Sequence, residues 1–458
     1  MKQQIRLSDH FTYRKLLQFV FPSIVMMIFT SIYGVVDGLF VSNFAGKTAF
    51  AAINLVMPFI MVLGGIGFMI GTGGTALVSK TLGEGRQEEA NRYFSMMILF
   101  TALLGVLLYG DRRGVHAAGR AVSRRNAGDA GGLRALWPHR QCVHSRVHAA
   151  ERVPELPDRG GKAEAGSCRD GRGGRDEYGA RRVCLSRASA GNCRRGRATG
   201  LSQCVGGLFP LVYFLRPNSS RLRLVRTRLE LRPLLNACGN GSSELMSNIS
   251  SSIVSMLYNF QLLKYIGEDG VSAYGVLMYV QFIFIAIDIG YSIGCAPIVG
   301  FHYGAQNHAE LKNMLKKSVL LMCASGAVLT VLASVLAAPL AKLFVGYDEG
   351  LYTLTCHAFR LFSFAFLFAG FNIFASSFFT ALGNGSISAA ISFLRTLVFQ
   401  TASVLILPLI FDVDGIWHAI TVAEVFATLI SVIFLFAKRK KYHYMECSPH
   451  GKNNVIFA

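Results

Sequence analysis

Charge is scarce in this chain: 16% of its 458 residues are Asp, Glu, Lys or Arg, where a soluble domain carries about 25%. That level excludes an ordinary water-exposed globular surface. Acids are scarcer than bases, 26 against 46, for a formal net charge of +20. The ten cysteines show no CxxC spacing, so there is no zinc ribbon and no disulfide framework. No GxxxxGK[ST] loop exists to cradle ATP phosphates. No His/Glu cluster has metal-ligand spacing, and the chain is not read as an enzyme. What is abundant is apolar: 52% of residues are hydrophobic, with 34 Phe and a mean hydropathy of +0.41.

Several apolar runs reach the roughly 20 residues that cross a bilayer core. The expected spans are 16–40, 50–80, 93–110, 198–215, 240–265, 271–300, 317–345, 352–382, 386–411 and 415–437. The run after "MKQQIRLSDHFTYRK" has no small-residue cleavage site and reads as the first membrane helix, not a removed signal peptide. Basic connectors favour the cytoplasmic side. "GEGRQEEANR", "RPNSSRLRLVRTRLELR", "NHAELKNMLKK" and "AKRKKYH" then lie inside with both termini, and the acidic "IGEDG", "VGYDEG" and "FDVDG" outside.

One segment lacks what the rest has. Residues 111–197 contain no Phe, Ile, Met or Thr, and hold 19 Arg and one Lys against nine acids. Span 93–110 exits outward and span 198–215 must return inward, so an even number of crossings separates them. Zero crossings gives ten spans and a large basic outside loop. Two gives twelve, and 87 residues is ample for two helices.

An internal repeat is present. "GFMIGTGGTALVSKTLGEGRQEEA" (67–90) parallels "GYSIGCAPIVGFHYGAQNHAE" (290–310), each a Gly-rich helix end followed by a Gly turn and a polar stretch. Two homologous halves are a common build for transporters, with the site between them.

These stretches resemble a known family. "FPSIVMMIFTSIYGVVDGLFVSNFAG", "NLVMPFI" and "GTGGTALVSKTLGEG" resemble the first two helices of the multidrug and toxic compound extrusion (MATE) transporters. "GSSELMSNISSSIVSMLYNFQLLKYIGEDGVSAYGV", "GYSIGCAPIVGFHYGAQN" and "TALGNGS" with "SFLRTLVFQ" resemble its second lobe. The resemblance covers about 15–110 and 198–438. It implies an all-α polytopic membrane protein of two pseudo-symmetric six-helix lobes, twelve helices in the family and ten in the chain as written. The expected organisation is 1–110 for helices 1–3 and 111–197 for the aberrant segment. Residues 198–232 hold helix 6 and the inter-lobe linker, 233–440 helices 7–12, and 441–458 a cytoplasmic tail.

The fourth and fifth family helices fall where the Arg–Gly text stands, and a frame slip accounts for it. Read from the second base of each degenerate codon, "GGKAEAGS" allows A-E-K-P-K-L-G, and "LWPHR" allows Y-G-R-I with its Gly forced. Glu177 to Arg182 allows N-M-V-L-D, and Val153 to Asp158 allows F-Q-N-F-L. Codons of an apolar helix that begin with G become Arg or Gly codons under this slip where the preceding codon ends in C or G. The other reading is a genuine basic insertion of a receptor or scaffold, binding RNA or acidic lipid.

Carboxylates inside membrane helices are expensive and commonly functional. The resemblance makes Asp37, in "YGVVDG", the first-lobe proton or cation carboxylate; the alternative is an Asp near the helix end that faces water. Glu244, in "GSSEL", matches an acidic position of the second lobe, or is a helix N-terminal Glu favouring the dipole. Asp288, in "FIAIDIGYSIG", is mid-span and either a third coupling group or a buried Asp satisfied by a neighbouring helix. Tyr33, Asn248, Tyr258, Asn259 and Gln281 are candidate substrate-cavity groups, with helix–helix hydrogen bonding as the competing role. Pro22 and Pro297 are positioned to kink their helices. Arg395, near the end of its span, reads as a snorkelling anchor.

The expectation is a monomeric antiporter of the bacterial cytoplasmic membrane, exporting cationic or amphipathic small molecules against H⁺ or Na⁺ and touching lipid but no nucleic acid. It uses no cofactor beyond the coupling ion. A lipid-linked oligosaccharide flippase of the same superfamily is the near alternative; its cavity would be more cationic. A non-functional frameshifted product is the other.

Overall fold

Helices form where the apolar runs lie. The computed structural model describes residues 6–110, 214, 222–346 and 348–444; at 33, 34, 36–61, 63 and 106–110 it describes the backbone alone. The aberrant segment, its reading frame, and span 198–215 apart from Phe214 therefore lie outside the described residues. The chain divides into two units, one of Met1–Asp37, Met57–Thr101 and Leu224–Ala458, the other of Gly38–Val56 and Ala102–Arg223. The second is described only as helical backbone in its first stretch and a few residues besides. The first holds the helices whose side chains build the candidate site.

The described elements are all α: α1 (Tyr13–Gly83), α2 (Gln87–Gly110), α3 (Leu231–Asn240), α4 (Ser242–Tyr265), α5 (Glu268–Gly304), α6 (His308–Val345), α7 (Glu349–Ser363), α8 (Phe366–Ala381), α9 (Gly385–Phe393), α10 (Gln400–Ile406) and α11 (Pro408–Tyr442). A π-helical turn, Leu394–Phe399, joins α9 to α10. Side chains fix several starts: Thr12, Asn307, Asp348 and Asn384 each accept a backbone N–H three residues on. Five described stretches are long and apolar enough to cross a bilayer, or up to six if the bent pair α7–α8 is one span. The chain is thus a multi-pass membrane protein. The Ser-rich α4, expected as a span, is not among these. Polar residues on successive turns suit a helix facing protein or a watery cavity rather than lipid.

Although α1 is continuous over 71 residues, it cannot be one straight rod, which would be about 107 Å long. Val20 lies against Gly294 while Ser79 lies against Gly300, and those two glycines are only about 9 Å apart along α5. The chain therefore passes α5 twice, as the two expected spans 16–40 and 50–80 require.

The second pass reveals the repeat in three dimensions. A Cβ on Gly83 would collide with the carbonyl oxygen of Phe301, and one on Gly304 with that of Lys80. Aligned through their Gly turns, Gly83 corresponds to Gly304 and Lys80 to Phe301. The contact is thus reciprocal, the signature of a two-fold relation between equivalent segments. Around it gather the basic connectors: Lys80 sits over the Tyr303 ring at 5.3 Å, Tyr303 meets Tyr442 at 5.6 Å, and His308 meets His443 at 5.3 Å.

At the same end the N-terminal arm docks on α6. His10 Nδ1 lies 2.6 Å from Glu310 Oε2, and Phe11 N–H donates to Glu310 Oε1 at 2.9 Å. Asn313 Nδ2 and Lys317 Nζ both donate to the Phe11 carbonyl, at 3.1 and 2.5 Å. Phe11 itself is fully buried.

Two apolar cores fill α4–α11. One includes Tyr258, Phe284, Leu329, Phe366, Val404 and Ile420. The other includes Tyr291, Met322, Phe371, Ile391 and Leu435. On α5, α6, α8 and α11 the membership changes over within a few turns. The level between them holds Asp288, Ser325, Gly370, Arg395 and Glu424, with Asn372 at its edge.

Expected span 352–382 is broken: α7 and α8 meet at a 48° bend around Phe364. Ser363 Oγ donates to the Arg360 carbonyl at 2.8 Å, and the following amides tighten to three-residue bonds. A side chain competing in the helical ladder is a recognised cause of such a kink. Pro22 and Pro297, by contrast, lie within helices that continue through them.

A second break separates spans 386–411 and 415–437. Asp412 takes φ 48°, ψ −130°, a region that disfavours any residue with a Cβ. Asp412→Gly is expected to stabilise the protein by about 1 kcal/mol, and Asp412→Val to destabilise it. Thermal melts in detergent micelles check this; a Gly variant that melts lower refutes it.

Candidate functional site

The buried polar level is built from five elements. Arg395 is carried on the π-helical turn, whose extra residue re-aims side chains and which recurs at functional sites. Its Nε donates to Glu424 Oε1 at 2.8 Å and Oε2 at 3.0 Å, and its Nη2 lies 2.8 Å from Oε1. Only 14% of the Arg395 side chain and 2% of the Glu424 side chain are exposed. Asn372 of α8 closes the other side, donating to Glu424 Oε2 at 2.8 Å and to its carbonyl at 3.0 Å. Ser431 in turn donates to Asn372 Oδ1 at 3.2 Å. Glu424 is thus clamped on both oxygens by a forked, charge-assisted set of donors.

Asp288, on α5, is fully buried. Ser325 Oγ donates to its Oδ1 at 3.0 Å, while its Oδ2 has no partner among the described residues. A Cβ on Gly370 would stand 2.9 Å from the Asp288 carboxyl carbon, so this glycine makes the room the carboxylate occupies. Gln281 Oε1 and Ser292 Oγ, seven residues before and four after Asp288, are also buried without partners among the described residues. All three share one face of α5. Arg395 lies within electrostatic reach of both Asp288 and Glu244.

The other candidates fall differently. Glu244 is half-buried in the first turn of α4, and Asn248 Nδ2 donates to its carbonyl at 2.8 Å. Asn248 also faces the second pass of α1, 3.1 Å from where a Gly65 Cβ would be. Tyr258 is core: it stacks on Tyr274 at 5.0 Å, its hydroxyl unpartnered among the described residues. Asn259 stands exposed beside Phe260 and Leu263, facing away from the buried polar level. The side chains of Tyr33 and Asp37 lie outside the described residues. Arg395 corrects its expected role: its guanidinium is not a free anchor but is paired, largely buried, with Glu424, which no pattern in the sequence singled out.

The MatE family model matches residues 22–109 and 245–405, more than half of the chain and both of its halves. The chain belongs to the MatE family. This is a family of transporters, and the matched ranges include Asp37, Asp288 and Arg395. Among curated MatE-like relatives, the probable multidrug resistance protein YoeA of Bacillus subtilis (strain 168) is 25% identical over 208 residues, 44% of either chain. The alignment thus spans less than half of that relative's length. Among solved structures, the chain is similar to an outward-facing multidrug resistance MATE family transporter, with TM-score 0.76 and 17% identity over 93% of this chain and 96% of that one. It is also similar to a MOP superfamily transporter from Pyrococcus furiosus, described as having a binding pocket of reversed polarity, with TM-score 0.75 and 17% identity over the same shares. At that identity the likeness establishes the MatE fold.

Proposed function

We propose that the protein is a cation-coupled antiporter of the bacterial cytoplasmic membrane that exports cationic or amphipathic compounds by alternating access. The observation that carries this reading is Asp288: a fully buried carboxylate with an oxygen bare among the described residues, at the level where two apolar cores part. Ionisable side chains buried within membrane helices mark ion and substrate paths. An H⁺ or Na⁺ binds from outside at Asp37, Glu244 or Asp288. Neutralising that carboxylate releases the bound cationic compound, and the halves then rock to face inward. Both termini and the basic end, with Lys80, His308 and His443, face the cytoplasm. Arg395 does not make the buried level cationic, because Glu424 neutralises it; this favours the exporter over the flippase.

The frame slip bears directly on transport. A companion Asp on helix 5 exists only in the shifted frame, so the chain as written is expected not to transport. An ethidium efflux assay on the frame-corrected gene, with Asp37→Asn, Glu244→Gln and Asp288→Asn, tests the assignment. Efflux should fall toward the level of cells without the gene in the coupling variants. Unchanged efflux in all three sinks it. Stop codons in the second-base frame of 111–197 sink the frame hypothesis.

A further inference from the structure

The buried level contains three formal charges of unequal standing. Glu424 receives the guanidinium and the Asn372 amide, with both oxygens occupied. Asp288 receives one hydroxyl, and its second oxygen is bare among the described residues. Arg395 is near enough to Asp288, and to the half-buried Glu244, to interact with each electrostatically, yet its fork is turned to Glu424. A buried ion pair strips two charges of water and is held together only by good geometry and added hydrogen bonds. Here the added bonds, Asn372 and through it Ser431, all fall on the Glu424 side. A lone buried carboxylate has no such compensation and takes up a counter-charge or a proton.

We infer that Arg395 and Glu424 form a charge lock that withholds Arg395 from Asp288. The lock leaves Asp288 one positive charge short, so the second half of the protein binds a single proton or monovalent cation there. Ser325 supplies one neutral ligand and Gly370 the space. This rests on the proposed coupling role of Asp288 and adds the residues that keep it available. Arg395, Glu424 and Asn372 are positioning residues: none touches the ion.

The lock makes an asymmetric prediction. Glu424→Gln removes the partner of Arg395, whose guanidinium then turns to Asp288 and fills its vacancy. Removing both members of the pair frees Asp288 again. Dicyclohexylcarbodiimide reports this on the full chain as written, purified in detergent, because it attacks protonated carboxyls in apolar surroundings; peptide mass spectrometry locates the adduct. In the unsubstituted protein Asp288 should be labelled and Glu424 spared. Label on Asp288 should fall about tenfold in E424Q, since a guanidinium partner holds a carboxyl ionised. It should return in R395Q/E424Q. In R395Q alone, Glu424 should become reactive while Asp288 stays so. Sodium chloride in place of choline chloride distinguishes the ion: protection of Asp288 assigns sodium, indifference assigns the proton, and either supports the lock. No label on Asp288 in the unsubstituted protein overturns the proposal. Undiminished label in E424Q overturns it too, as does failure to recover in the double variant, which marks a folding defect instead. The labelling needs no transport, so a failed efflux assay and a failed lock are separate results.

Discussion

Arg395→Leu is expected to destabilise the protein by about 3–5 kcal/mol, the cost of stranding a buried carboxylate without its partner. Glu424 is 2% exposed and sits between two apolar cores, so neither water nor a snorkelling side chain can replace the guanidinium. Asn372 would remain, but one amide does not compensate a full charge in low dielectric. The pair as a unit is a different matter. R395L/E424L replaces two desolvated ions by apolar volume and is expected to recover most of the loss, because the desolvation cost disappears with the charges. Thermal and denaturant unfolding in micelles measures both variants. A single variant as stable as the parent would show that the pair is hydrated in solution, contrary to its burial.

Gly83→Ala and Gly304→Ala carry the second large expectation. Each new methyl meets a backbone carbonyl of the partner segment, which cannot rotate away as a side chain could. The two segments must separate, at a cost of about 1–3 kcal/mol per substitution. Gly71, on the same α1, has nothing within 4 Å of a built Cβ. Gly71→Ala should therefore stabilise slightly, by about 0.5–1 kcal/mol, through helix propensity alone. The comparison isolates close approach from composition. If the proposed antiport holds, prising this end apart also favours the state open to that side, and efflux by the frame-corrected protein falls with stability. Equal melting of Gly304→Ala and Gly71→Ala would refute the reciprocal contact.

Most spans were legible because hydropathy reads burial in lipid directly; α4 is helical as expected but is not apolar enough to stand among the bilayer-crossing stretches. The repeat was legible too, since Gly turns and their spacing survive in the text, and its halves meet through equivalent glycines. The break inside 352–382 was not, because Ser363 in an apolar run gives no sign that its hydroxyl will bind the Arg360 carbonyl of its own helix as well as Ser334 of α6. Arg395 was misread for a related reason. A cation close to the end of an apolar run looks like an anchor until a carboxylate 29 residues away is brought to it. Glu424, in "TVAEVFATL", carries no motif, and only the packing of α11 against both α8 and the π-helical turn gives it a role. Asp288 stood out because a lone acid in "FIAIDIGYSIG" is costly wherever it lies, and the structure keeps it buried with one oxygen bare among the described residues.

The docked arm sets an order of events during synthesis. His10 and Phe11 emerge first, but Glu310, which holds both, follows 300 residues later. At about 5–20 residues per second that is a wait of roughly 15–60 s. Until then Phe11 has Phe19 of the first helix beside it, but not the α6 groups that hold its backbone. A chain that stops before α6 therefore lacks Glu310, Asn313 and Lys317, which fasten the arm. The clasp between His10 and Glu310 is thus a contact across 300 residues that forms only once α6 has been made.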